Sequence, residues 1–254
     1  MTTTSTFSFT HRPLVPFAHD YQHGDSEPWH QHDCAQLLHS LSGVVRVDTK
    51  AGCWVVPPGR GVWLPAGTQH AIRITGKVAA RTLFIDPLAR ADLPASCQIV
   101  QISPLLRELI VSAFDLPESY SPGSRDERVY ELILDEIRLM PVLPFCLPEP
   151  ETDTLRQLCQ QIRRAPENNW SSALAASLTN MSERTLNRHF QQQTGLSYGE
   201  WTRLARLLEA LVRLAQGQPV LRVALDLGYG SHSAFTAMFR RVMGISPSDY
   251  FKDA

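Results

Sequence analysis

The chain has 254 residues, 43% of them hydrophobic, and a formal net charge of −1, enough for two ordinary domains with separate cores. No apolar run approaches the ~18–20 residues of a membrane span, which excludes a spanning helix. The five cysteines (Cys34, Cys53, Cys97, Cys146, Cys159) show no Cys-x-x-Cys spacing, which argues against a disulfide framework or structural zinc.

The charge is unevenly spread. Residues 1–150 hold 12 Lys+Arg against 16 Asp+Glu, a net of −4, whereas residues 151–254 hold 12 against 9, a net of +3. A polyanion partner therefore belongs to the second half, with moderate, salt-dependent affinity. The opening Met-Thr-Thr-Thr-Ser-Thr-Phe lacks the basic start and apolar core of a secretory leader, so a cytoplasmic location with reduced thiols is expected.

Six short strands are predicted between residues 36 and 86: Leu37–Leu41, Val44–Val47, Cys53–Val56, Gly61–Leu64, His70–Ile74 and Arg81–Ile85. Gly, Pro and Asp punctuate the intervals, as at Ser42-Gly43, Pro57–Arg60 and Pro65-Ala66-Gly67. Closely spaced strands of this kind predict a small antiparallel barrel or jelly roll. Trp29, Trp54 and Trp63 either line it or fill it.

Within this region Trp29-His30-Gln31-His32 is followed by Gln36 and Gly43, and Gly59 by Pro65, Gly67 and His70. The two segments resemble the paired motifs of the cupin fold, His-x-His-x(3)-Glu-x(6)-Gly and Gly-x(5)-Pro-x-Gly-x(2)-His, over roughly residues 10–90. The resemblance implies His30, His32, Gln36 and His70 as metal- or effector-binding residues, with Gln36 standing where the motif has glutamate. An amide oxygen still ligates, but it brings no charge. Three imidazoles and an amide suit a divalent transition metal (zinc, nickel, iron or copper) as cofactor. Alternatively, the histidines line an effector pocket or are structural.

Beyond the barrel, Leu105–Phe114 and Arg125–Met140 are predicted helices. Val129, Leu132, Ile133, Ile137 and Met140 form an apolar stripe on the second, suited to its own barrel or to a second protomer; a homodimer is expected. Four prolines between Pro141 and Pro150 preclude helix and predict a semi-rigid linker over residues 141–151.

The tail repeats itself. Ser182, Leu186, Phe190, Gly195, Leu196, Ser197 and Trp201 recur 49 positions later as Ser231, Phe235, Phe239, Gly244, Ile245, Ser246 and Tyr250; Ala175 and Leu178 recur as Ala224 and Leu227. One supersecondary unit is thus built twice. Each copy reads as a short helix (Leu174, Ala175, Leu178; then Val223, Ala224, Leu227), a turn, and a second helix opened by a serine cap and closed by glycine. That is a helix-turn-helix, whose second helix enters a DNA major groove. Leu186 and Phe190 share an inward face, as do Phe235 and Phe239. Outward stand Arg184, Asn187, Arg188 and Gln191, then His232, Ser233, Thr236 and Arg240: the DNA-binding candidates. Ala237 occupies the slot of Arg188, so the second face is expected to position more than to discriminate. Tyr198–Gln216 reads as one connecting helix, ended by Gly217 and Pro219.

Gly228-Tyr-Gly-Ser-His-Ser-Ala-Phe-Thr-Ala-Met-Phe-Arg-Arg-Val-Met-Gly-Ile-Ser-Pro-Ser-Asp-Tyr250 resembles the second helix-turn-helix signature of the AraC/XylS family of bacterial transcription regulators, and the resemblance covers about residues 152–252. The expected architecture is α+β in two domains. Residues 1–140 form a cupin-like β-barrel sensor and dimerisation domain with flanking helices. Residues 152–254 form an all-α DNA-binding domain with two helix-turn-helix motifs. The expected function is sequence-specific transcription regulation on double-stranded DNA, steered by a small-molecule or metal effector, with no catalysis. The rival expectation is a metal-dependent cupin oxygenase or isomerase carrying a DNA-binding tail.

Overall fold

The computed structural model describes residues 3–5, 9 and 12–250. It divides into two compact units: residues up to Lys50 with Trp54–Cys146, and Ala51–Cys53 with the residues from Leu147 onward.

Twelve strands, most of them in the first unit, form two six-stranded sheets. In chain order the strands are β1 (Thr3–Ser5), β2 (Leu14–Tyr21), β3 (Ser26–His32), β4 (Ala35–Ser40), β5 (Val44–Thr49), β6 (Gly52–Val56), β7 (Arg60–Leu64), β8 (His70–Thr75), β9 (Val78–Ile85), β10 (Gln98–Gln101), β11 (Val142–Leu143) and β12 (Cys146–Pro148). One sheet runs β1-β3-β8-β5-β6-β12, the other β11-β10-β7-β4-β9-β2. All six predicted strands are present; β1, β2, β3, β10, β11 and β12 lie outside the prediction. β4 is buried at every position, because the sheet carrying it is covered on both faces. One face meets the other sheet, where the rings of His32 and Phe84 lie 5.0 Å apart.

The opposite face is covered by α1 (Pro104–Ser112), a 3₁₀ turn (Ala113–Asp115) and α2 (Arg125–Arg138). Ser103 and Ser124 cap these helices, accepting from the N–H groups of Leu106 (3.0 Å) and Glu127 (3.2 Å). Leu106, Ile110, Tyr130, Ile133, Leu134 and Ile137 join Leu37, Trp63, Leu83 and Val100 in one core. Burying each such side chain stabilises the unit by about 1.5–3 kcal/mol. Of the two partners expected for the α2 stripe, the unit's own barrel takes it: Ile133, Ile137 and Met140 join that core, and only Leu132 of the stripe is exposed. Trp54 and Trp63 fill rather than line, whereas Trp29 is exposed.

The proline-rich stretch, expected as a semi-rigid linker, contains the division between the units at Cys146/Leu147; within it Val142 and Leu143 pair with Val100 and Ile99 and Cys146–Pro148 forms a strand. Both strands end their sheets, where a residue without an N–H leaves no ladder bond unmade.

The second unit is helical: α3 (Asp153–Arg164), α4 (Ser172–Leu178), α5 (Glu183–Thr194), α6 (Tyr198–Ala215), α7 (Val220–Asp226), α8 (His232–Met243) and α9 (Pro247–Tyr250). α3, not singled out in the sequence, buries Leu155, Leu158, Cys159 and Ile162. The repeat is geometric as well as sequential. α8 spans α5's residues moved by 49 positions, and Phe190–Trp201 and Phe239–Tyr250 both sit edge-on with ring centres 5.9 Å apart. α6 opens with a full capping box between Ser197 and Glu200. Of the apolar run on α4, Leu174 and Leu178 are 43% and 51% exposed, whereas Ala175 is buried together with Ala176. Small residues there let α4 approach α5 closely. No helix among the described residues is long and apolar enough to cross a membrane, and all five cysteines are free thiols.

Candidate DNA-reading face and histidine cluster

The two candidate reading helices start and stop alike. The Ser182 and Ser231 hydroxyls accept the N–H groups of Thr185 and Ala234, each at 3.1 Å. Gly195 and Gly244 close the helices at φ of 73° and 83°, a conformation that a Cβ makes costly. Leu186, Phe190, Phe235 and Phe239 are fully buried, so the opposite face of each helix is fixed outward.

On that face the eight candidates divide. Arg184, Arg188, Gln191, His232, Ser233 and Arg240 are exposed, and Asn187 and Thr236 are half-buried. The Arg184, Arg188 and Arg240 guanidinium groups make no hydrogen bond or ion pair among the described residues, leaving their donors for a ligand. Asn187 is engaged at both ends of its amide: Nδ2 donates to the Glu183 carbonyl (3.1 Å) and Oδ1 accepts the Tyr198 N–H (3.2 Å). Gln191 Nε2 donates to the Gly195 carbonyl at 2.8 Å, closing its own helix. The Thr236 hydroxyl oxygen is buried without a hydrogen-bond partner among the described residues.

In the first unit, His30 and His32 end β3 and His70 opens β8, with His30 and His70 directly paired across the strands. Gly67 (φ 73°) donates its N–H to the His32 carbonyl at 2.8 Å, which ties the turn before β8 to the end of β3. The three imidazoles offer ligand atoms within 4.8 Å of one another, and all three side chains are buried. Nδ1 of His30 lies 2.8 Å from the Pro28 carbonyl, and Nδ1 of His70 lies 2.8 Å from the Thr68 carbonyl. A carbonyl only accepts, so each Nδ1 carries a proton and each Nε2 is turned toward the cluster. Burial, reinforced by His70 and His30, lowers His32 to about 4. Burial likewise lowers His70. Both rings are therefore neutral near pH 7, which is the ligating form.

Gln36 lies on the other sheet, opposite Phe84 on β9, whose ring meets His32; its Oε1 is buried with no partner among the described residues. Sequence reasoning missed Glu27. Its Oε2 lies 3.4 Å from His30 Nε2, and its Oε1 accepts a short hydrogen bond from the Tyr21 hydroxyl. Residues three apart on a regular strand face opposite ways. A bulge between Glu27 and His30 shifts the register and brings both to one side. Pro28 was the available signal for that irregularity.

Residues 15–182 match the AraC-like ligand-binding domain family and residues 175–253 a helix-turn-helix domain family. The HTH-type transcriptional regulator NimR of Escherichia coli (strain K12) is 32% identical over 225 residues, 89% of this chain and 82% of that protein. The regulatory protein SoxS of Salmonella typhimurium is 38% identical over 78 residues, 30% of this chain and 73% of SoxS. Among solved structures, ToxT from Vibrio cholerae aligns over 95% of this chain and 99% of its own, at 10% identity and a TM-score of 0.40. Fold and site together define a transcription regulator, with a ligand-binding domain followed by a DNA-binding helix-turn-helix domain. The chain belongs to the AraC family of transcriptional regulators.

Proposed function

We propose that this regulator senses its effector at the histidine cluster of the two-sheet unit and reads DNA chiefly through Arg184 and Arg188. The observation that carries the sensor reading is the convergence of three buried ligand nitrogens, from His30, His32 and His70, within 4.8 Å. Buried imidazoles, two of them anchored at Nδ1 by backbone carbonyls, form a site for a divalent transition metal, or for a small molecule presenting a metal-like or hydrogen-bonding head. Gln36, with an unpartnered buried acceptor, suits an N–H or O–H of that molecule. When bound, a metal would supply positive charge and open coordination positions to such a head.

On DNA, Arg184 and Arg188 have donors free for guanine edges or phosphates. Arg240, His232 and Ser233 hold the second helix on the backbone. Asn187 and Gln191 keep the first reading helix in shape, and Thr236 supports the second. We read the chain as a cytoplasmic regulator and not as an enzyme. We also infer a homodimer, formed through the outer side of α2 and β11, where Leu132, Leu139 and Val142 are 39%, 66% and 60% exposed.

The experiment is a DNA-binding titration of the full chain, metal-stripped and then supplied with Zn²⁺, Ni²⁺, Fe²⁺ or Cu²⁺. A metal-dependent change in operator affinity that His70→Ala removes supports a metal effector. No change with any of them, alongside a thermal shift with a small metabolite that His70→Ala removes, assigns the site to an organic effector.

A further inference from the structure

The three histidines supply no negative charge. A divalent ion held by neutral donors alone would keep its full double charge inside a buried cluster, where desolvation is costly. Gln36, at the position where a carboxylate would serve, offers only an amide. Glu27 stands on the same side of β3 as His30 because of the bulge between them.

Glu27 faces His30 directly. Nδ1 of His30 lies 2.8 Å from the Pro28 carbonyl, which leaves Nε2 facing Glu27 Oε2 at 3.4 Å. His70 points a second Nε2, buried and without a partner among the described residues, into the same cluster. The rings of His30 and His70 are 4.2 Å apart.

Glu27 is also held in place. Tyr21, 8% exposed at the end of β2, donates its hydroxyl to Glu27 Oε1 and leaves Oε2 directed at His30. One carboxylate oxygen fixed by a buried hydroxyl and the other directed at His30 is the arrangement that orients a metal-binding carboxylate. The Glu27 side chain is itself 36% exposed, so its own desolvation is moderate.

We propose that Glu27, oriented by Tyr21, is the carboxylate ligand that completes the cluster of His30, His32 and His70 as a divalent transition-metal site. This rests on reading the cluster as a metal site. It moves the acidic ligand from the Gln36 position, nine residues further along the chain, to the strand that carries two of the histidines. Tyr21 is a positioning residue and Gln36 is not required for the ion.

The test titrates Co²⁺ into metal-stripped full-length protein, reading affinity by calorimetry and ligand geometry by the visible absorption bands of the bound ion. Wild type is expected to take up one equivalent, and His70→Ala to lose it. Glu27→Gln, which preserves shape and removes charge, should weaken binding on the order of 100-fold and alter the bands; Tyr21→Phe should weaken it by about 10–100-fold. Glu27→Asp, which retains the charge, should recover part of the loss, and Gln36→Leu should bind as wild type does. Unchanged affinity and bands in Glu27→Gln, with binding still lost in His70→Ala, would overturn the assignment of Glu27 and leave the metal site standing. Loss in Gln36→Leu with none in Glu27→Gln would return the role to Gln36. A wild-type protein that takes up no Co²⁺ would overturn the metal reading itself.

Discussion

The Oδ1 of Asn187 accepts the backbone N–H of Tyr198, joining the middle of α5 to the first turn of α6 at 3.2 Å. That N–H is one of the orphan donors at the start of a helix, so Asn187 does the work of an additional cap. Asn187→Ala is expected to lower unfolding free energy by about 1 kcal/mol while leaving the order of preference among DNA sequences intact. Denaturant melts and a binding-site selection would check both. Relaxed preference at one base pair with unchanged stability would restore Asn187 to the reading set.

Arg188 has the opposite profile. It is exposed and makes no side-chain bond among the described residues, so Arg188→Ala should leave melting unchanged within about 0.5 kcal/mol. DNA binding should weaken by about 1–3 kcal/mol, with preference lost at a single position. A uniform loss across all sequences, with the salt slope reduced by about one, would make it a phosphate contact.

Stability should fall as the medium is acidified from about pH 6.5 toward pH 4. His39 is buried on the helix-facing side of β4, and burial, then Arg107 and Arg81, lower it to about 4. Between that value and the ordinary 6.5, the unfolded chain binds a proton that the folded chain refuses. The stabilisation is thus complete above pH 6.5 and lost as pH falls through about 4, on the order of 3 kcal/mol in full. His32 and His70 are lowered too and act in the same direction. Urea midpoints at pH 7.5 and 5.0 should differ less in His39→Gln than in wild type; equal differences would clear His39 of the effect.

Metal removal should lower the melting temperature if the histidine cluster holds an ion. At a free-metal concentration of about 100 times Kd, binding adds about 2.7 kcal/mol to the folded state. A chelator should erase that increment in wild type and change nothing in His70→Ala. Identical melts with and without chelator in wild type would count against a resident ion.

For the inferred dimer, Leu132→Glu combined with Leu139→Glu should give a monomer by light scattering without loss of the fold, because neither leucine belongs to the buried core. A persistent dimer would shift the interface elsewhere.

Legibility in the sequence followed the strength of local rules. The six strands of residues 36–86 and both reading helices stand out because alternation, serine caps and glycine stops all agree there. β2 and β3 do not. Pro16 and Pro28 interrupt them, and β2 is mostly solvent-facing, so neither shows the apolar alternation of a half-buried strand. The two short strands within the linker were hidden for a similar reason, since proline forbids helix but permits an edge strand, and only the partner strand decides between them. The histidine cluster was visible as spacing; Glu27 was not, because a bulge defeats the odd–even rule of a strand.

The matched aromatic pairs, Phe190 with Trp201 and Phe239 with Tyr250, give each half of the tail its own keystone. Changes to the outward residues of one half therefore leave the other half's scaffold undisturbed, and their energetic effects should add. A lineage carrying such a tail can vary the outward face of one half while the packing of the other stays as it was.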